Sequence, residues 1–438
     1  PWSGYPKGKI MKIIKSSASG FEKFFRQLRQ RGGTFSPELL SSVAKIVRDV
    51  AEQGDRALFQ YTARFDGYQL SAATVEATAV EKKKALAQVA RDDQHVITLA
   101  AKRIEDYHRH QIAQGYKLKL ENGSELEQRI LPLQRVGIYA PGGKASYPST
   151  ILMAAIPARI AGVEEIVLVS PSPGGKLNPL IAAAAKIGGV RRIFKIGGAQ
   201  AIAALAYGTK AIPRVDKIVG PGNAYVAAAK KLVFGATDID MIAGPSEVLV
   251  IADDTAKASF VAADMLAQIE HDEMAAAILL TPSEKLVSGV IEEIYRRIKT
   301  SARKEIIEKS LARFCAMIIT GSLDEAVNIA NDFAPEHLEL MVKNPRKISN
   351  TVRNAGSVFL GHYTPEALGD YLAGTNHILP TGGTARFSSP LGVYDFYKRM
   401  SVLSFSRKAF NSLSAPTAHF AQREGLEAHA QSVLVRDR

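Results

Sequence analysis

Glutamate and histidine stand side by side in FAPEHLELM, as Glu336–His337 directly after Pro335. These side chains are among the commonest proton carriers in enzymes. Sequence neighbours do not share a helix face, so the pair can serve one centre only if the turn after Pro335 sets both at the lip of a cleft. The same residues also read as a helix start, with proline in the first turn and an acid near the positive end of the dipole. In AQIEHDE, Gln268 and His271 are spaced i, i+3, which points an amide oxygen and an imidazole the same way from one helix face. That pair can begin a metal site, or it can be a polar helix end. GDYLAGTNH supplies Asp370 and His377 in a glycine-containing loop. LEAHA places His429 in the polar tail, with Glu424 just before it. These segments offer nitrogen and oxygen donors and no thiolate, a set that suits Zn2+ or Mn2+. His95, His108, His110 and His362 lie in helix or loop contexts without acid partners at useful spacing, and His108 and His110 read as solvated helix residues. His419 is a weaker candidate ligand than His429.

Such groups converge only if rigid elements carry them. Residues 36–65 have helical spacing, opened by the cap Ser36-Pro37-Glu38, and a second helical region covers 80–115. From 130 onward the pattern changes to strand, glycine turn and helix. The strands are RVGIYA (135–140), EEIVLVS (164–170), RIFKIGG (192–198) and DKIVG (216–220). A second such run carries EVLVIAD (247–253), AAILLTP (276–282), MIITGS (317–322) and SVFLG (357–361). This alternation predicts parallel sheets with crossover helices, in two doubly wound Rossmann-like modules. Ligands of open parallel sheets bind beyond the carboxyl ends of strands, so the glycine turns at 141–143, 197–198 and 220–222 are expected to line one crevice. None satisfies G-x-G-x-x-G: in GPGNAY, Tyr225 stands where the third glycine belongs. A dinucleotide site and plain tight turns both fit these turns. From 381 the chain turns polar and ends in a short helical tail.

The 438-residue chain exceeds one compact core, and about three domains are expected for its length. Hydrophobic content of 46% with 23% charged residues is that of a soluble globular protein, and no apolar run has the length of a membrane span. The single cysteine, Cys315, excludes an internal disulfide and a thiolate-rich zinc site, and favours a reducing, cytoplasmic setting. A net charge of +13 invites a nucleic-acid reading, but Lys and Arg are scattered rather than clustered. A basic enzyme that attracts acidic cofactors fits better. MKIIK at 11–15 reads as a start, which makes residues 1–10 an upstream or appended remnant.

YAPGGKASYPST, GGAQAIAALAYGT, DKIVGPGNAYV, GPSEVLVIAD, QIEHDE, FAPEHLEL, GDYLAGTNHILPTGGTARFSSPLGVYDF and LEAHA, in that order, closely resemble the histidinol dehydrogenase family. The resemblance runs from about residue 30 to the tail; one block alone would be weak, the ordered set is specific. It implies a zinc-dependent, NAD-linked oxidation of L-histidinol through the aldehyde to L-histidine, the last steps of histidine biosynthesis. It assigns one Zn2+ to Gln268, His271, Asp370 and His429, and proton transfer to Glu336 and His337. Substrate contacts fall on Ser246, His377 and Glu424 besides His337 and the metal ligands, and NAD contacts on Tyr139, Gln200 and Asn223. The sequence departs from the pattern at Glu273, where proline is more usual. The domains implied are an N-terminal helical segment (11–33), a larger α/β module with the metal and catalytic residues (34–134 and 238–380), an NAD-binding Rossmann-like module (135–237) and a tail domain completing the site (381–438). The resemblance further implies a homodimer in which Glu424 and His429 cross to the other subunit.

Three rivals remain on the sequence. A relative oxidising another small polar alcohol is opposed by Glu424 and His429 in the tail. A nucleic-acid-binding protein leaves Asp370 and Glu336 without a role. A zinc hydrolase without NAD leaves the glycine turns without one.

Overall fold

A computed structural model describes residues 11–32, 35–142 and 147–437. The supposed remnant 1–10 and part of the first glycine turn, 143–146, lie outside the described residues. Two parallel sheets form the frame. One runs, in spatial order, Lys12–Lys15, Ala316–Ile319, Ala276–Thr281, Glu247–Ala252, His337–Met341 and Ser357–Leu360. The other runs Arg192–Phe194, Glu165–Val169, Arg135–Tyr139, Lys217–Val219 and Asp238–Ile239. Every neighbouring pair in both is parallel. Once the edge strand Lys12–Lys15 is set aside, each sheet has its strands in the order third, second, first, fourth, fifth along the chain. This is the Rossmann-like order, with the switch point between first and fourth strands. Two such modules are what the alternation predicted.

The strands EVLVIA and AAILLT are buried at every residue because helices cover both faces, so they read as continuous apolar runs rather than alternating ones. Small residues let those helices come close. A Cβ at Gly137 would lie 2.9 Å from Leu205 of the alanine-rich helix Gly198–Tyr207, so strand and helix meet there almost backbone to side chain. Fully buried anchors such as Ile151, Leu152 and Phe194 each contribute about 1.5–3 kcal/mol.

Four expectations are corrected. MKIIK does not belong to a helical segment: its Lys12–Lys15 is an edge strand parallel to Ala316–Ile319, and the helix Phe21–Arg29 follows. Helices between 37 and 108 share their core with the strands of 135–219, not with those of 247–360, because their apolar faces meet the alanine-rich helices there. The helical region ends at His108, apart from a short turn at 109–111. Beyond it Tyr116–Lys119 and Glu125–Pro132 form an antiparallel hairpin, and Glu125–Pro132 pairs on its other edge with Tyr397–Ser404 of the tail. His108 is not solvated: it is buried, with Nδ1 donating to the Ile104 carbonyl at 2.8 Å. The tail therefore adds one strand to an antiparallel three-stranded sheet begun at 116–132 and continues into the helices Arg407–Arg423 and Glu427–Leu434.

Candidate active site and metal centre

FAPEHLELM does not begin a helix. The helix Leu323–Phe333 stops at Ala334, which has φ 54°, a positive value no other described non-glycine residue has. The left-handed residue ends the helix, Pro335 prevents its resumption, and the chain enters the strand His337–Met341. This turn sets Glu336 and His337 at the amino end of a central strand.

They line a cleft of about 800 Å³ between the two sheets. One wall is made at the amino ends of the strands Glu247–Ala252 and His337–Met341, where Ser246, Glu336 and His337 lie. The other is made beyond the carboxyl ends of Arg135–Tyr139 and Lys217–Val219, by Pro141 and the turn Gly220–Asn223. The carboxyl-end rule thus holds for the second sheet and is inverted for the proton-transfer pair. Gln268, at the end of the helix Ala258–Ile269, His271 just beyond it, Asp370 on the helix Glu366–Tyr371 and His377 complete the wall.

Glu366, passed over in the sequence, lies at the centre of this group. In the amide orientation its neighbours require, Gln268 Nε2 donates to both Glu366 carboxylate oxygens, at 2.7 and 3.0 Å. That turns the Gln268 carbonyl oxygen away from Glu366. His337 Nδ1 is 3.7 Å from Glu366 and 3.8 Å from Glu336, and its Nε2 is 3.7 Å from Asp370. Donor atoms of His337, Glu366 and Asp370 lie within 4.8 Å of one another, and the buried His337 Nε2 has no hydrogen-bond partner. The signal for Glu366 was its i, i+4 spacing to Asp370 in EALGD, which places both on one helix face.

Burial and charge compete across this cluster. Burial pushes Glu336 up to about 7 and Glu366 up to about 8, although His337 pulls both down. Burial alone would lower the His337 imidazole, but Glu366, Glu336 and Asp370 together hold it well above its ordinary range. At Asp370 burial raises the carboxyl, and His337 more than offsets it, so the group stays below the usual range. Burial lowers His377, whose Nδ1 donates to the Asp370 carbonyl at 2.9 Å while Nε2 meets the Thr150 hydroxyl at 3.2 Å. The surplus of carboxylates beside an unpartnered imidazole nitrogen fits a divalent cation, and Gln268, His271 and Asp370 supply the amide oxygen, imidazole and carboxylate that zinc accepts.

On the opposite wall, Lys230 pairs with Asp240, and both hold the turn: Lys230 Nζ donates to the Gly220 carbonyl at 3.0 Å and Gly220 N–H donates to Asp240 at 2.7 Å. Gly220 has φ 109°, and a Cβ there would lie 2.2 Å from the Tyr139 carbonyl, so only glycine fits. Asn223 caps the helix Ala224–Val233, accepting from Tyr225 and Val226 N–H at 3.1 Å each. The helix start therefore opens into the cleft, a position that favours anions. Tyr139 and Gln200 are buried and do not line this cleft: the Tyr139 hydroxyl accepts from Gly198 N–H at 3.2 Å, and Gln200 Nε2 has no partner. The turn 197–198 is likewise outside the lining. Glu424 and His429 are exposed on the tail and do not line the cleft of their own chain.

The family model for histidinol dehydrogenase matches residues 29–437. The histidinol dehydrogenase of Syntrophotalea carbinolica is 51% identical over 427 residues, 98% of this chain and 99% of its own. That of Aquifex aeolicus is 52% identical over 409 residues, covering 93% and 95%. The crystal structure of histidinol dehydrogenase from Elizabethkingia anophelis superposes with a TM-score of 0.90 at 36% identity, covering 97% and 98%.

Proposed function

The chain belongs to the histidinol dehydrogenase family and is an oxidoreductase, and from that premise we propose that it carries out the zinc-dependent, NAD-linked two-step oxidation of L-histidinol through L-histidinaldehyde to L-histidine. One observation carries the reading: Gln268, His271 and Asp370 share a single cleft with Glu336–His337 and the Gly220–Asn223 turn. Gln268, His271 and Asp370, joined by His429, would hold a zinc ion that serves as template and Lewis acid for the amine and imidazole nitrogens of histidinol. NAD, when bound, would supply the hydride acceptor; Asn223 and its turn would hold it, with Tyr139 and Gln200 supporting the glycine turns.

His337 is the base for the carbinol proton. Its Nδ1 faces the Glu247 carbonyl at 3.2 Å, and a carbonyl can only accept, so in the neutral ring Nδ1 carries the proton and the unpartnered Nε2 receives the next one. Glu336, raised to about 7 by burial, activates the water that attacks the aldehyde stage. Ser246 and His377 contact the substrate, and Glu424 does so from the tail.

Loaded protein should yield two NADH per L-histidinol, abolished by a chelator and restored by zinc. Glu336→Gln should still oxidise the alcohol but slow the aldehyde step about 10²–10⁴-fold. Equal losses in both half-reactions would refute the division of labour, and no NADH from histidinol would refute the substrate.

A further inference from the structure

We propose that Glu247 is a positioning residue for Glu336 and His337, locked by Arg31; this rests on the reading of that pair as the proton-transfer groups. The side chains of Glu247 and Arg31 take no part in the proton transfers themselves. Glu247 opens the strand Glu247–Ala252 and lies one ladder step before Val248, which pairs with His337. Its main chain addresses both groups. The Glu247 N–H donates to Glu336 Oε2 at 3.0 Å, and the Glu247 carbonyl accepts from His337 Nδ1 at 3.2 Å. A single residue thus sets the carboxylate and the ring, and through the ring it selects the tautomer.

The side chain holds that residue still. It is buried, with Oε2 2.8 Å from Arg31 Nη2 and Oε1 accepting from Gly382 N–H at 3.1 Å. Arg31 Nη2 also reaches the carbonyls of Pro245 at 3.1 Å and Ser246 at 3.4 Å. The Ser246 carbonyl and the Glu247 N–H belong to one planar peptide, so Arg31 grips from one side the plane whose other side points at Glu336. An apolar pair of similar volume would pack as firmly as a buried ion pair. It would not fix the rotation of that peptide.

The test uses zinc-loaded full chain. Variants are Glu247→Gln, Arg31→Lys and the doubly neutral Arg31→Gln/Glu247→Gln, which leaves no buried charge unpaired if a single substitution fails to fold. Misplacing a reacting group costs on the order of 10²-fold, so kcat should fall about 10²-fold, with KM for L-histidinol and NAD within about twofold and zinc content unchanged. Adding the double substitution to Glu336→Gln should cost far less in the aldehyde step than in the parent, because the group it positions is already gone. Full additivity there, an unchanged kcat, or a loss confined to KM or zinc content would overturn the positioning role. If Glu336→Gln itself retains parental rates in both half-reactions, the reading of the pair falls first, and the proposal with it.

Discussion

Around the His337 imidazole, Glu336, Glu366 and Asp370 are held closer together than like charges would choose, inside a wall where water does little to screen them. The cost is readable as a pH dependence of the metal-free protein. Glu336 is raised to about 7, Glu366 to about 8, and Asp264, pushed up chiefly by burial, to about 6. Each retains in the folded state a proton that the unfolded chain gives up near the ordinary carboxylate range. The folded state then binds more protons, so stability falls as pH rises. His337 adds to the same trend, since its raised imidazole contributes stability at low pH that disappears as the ring loses its proton. Asp370, lowered, contributes a term already complete above its unfolded value. Chelated protein should therefore unfold more easily in urea at pH 8 than at pH 5.5, with Glu336 alone contributing on the order of 2 kcal/mol over that range. The trend should shrink in Glu336→Gln. Rising stability over that range would contradict the electrostatic picture.

At the scale of elements, the segment Phe333–His337 shows how local chemistry places a site. Ala334 pays a left-handed conformation to end one helix and aim the next strand. Ala334→Gly should stabilise the fold by about 0.5–1 kcal/mol, the relief of a strained Cβ less the entropy glycine loses on folding. Ala334→Val should destabilise it by more than about 1 kcal/mol. Urea midpoints at constant slope decide both. The sequence could not disclose this turn, because Pro335-Glu336 also satisfies the grammar of a helix start. What was legible were elements with strong local signals: apolar strands between glycine turns, and the Ser36 cap, whose hydroxyl accepts from Leu39 N–H at 3.2 Å. The donors Gln268 and His271 announced themselves by spacing alone. Glu366 was marked only by its i, i+4 spacing to Asp370, and Glu247 by nothing, since it acts through its backbone and that leaves no residue-type signature. The strands at 116–132 carried a local signal, the Asn122-Gly123 hairpin turn between them, and only the pairing of Glu125–Pro132 with the distant Tyr397–Ser404 has no local pattern.

For the whole molecule, the informative contrast is between a cleft and a tail. The cleft brings together Gln268, His271 and Asp370, while His429 and Glu424 of the same chain stand exposed on the helical tail. Large apolar side chains accompany them, among them Phe420 at 68%, Leu403 at 63% and Val435 at 59% exposure. Apolar surface gathered on one small appendage favours contact with another protein surface, and a second copy of this chain offers the matching demand: a cleft in want of one more imidazole. The homodimer that the family resemblance implies, with each tail completing its partner's site, would explain both features together. No helix among the described residues is long and apolar enough to cross a membrane, so a bilayer-spanning helix is not what these side chains form. His271→Ala and His429→Ala protein should each be inactive alone. Unfolded together and refolded, they should recover about a quarter of the parent activity, since half of randomly assorted dimers then carry one intact site. Absence of recovery, with mixed dimers demonstrated by differently sized tags, would mean that each tail folds back onto its own cleft. The apolar side chains would then owe their exposure to a tail position that changes when substrate and metal arrive.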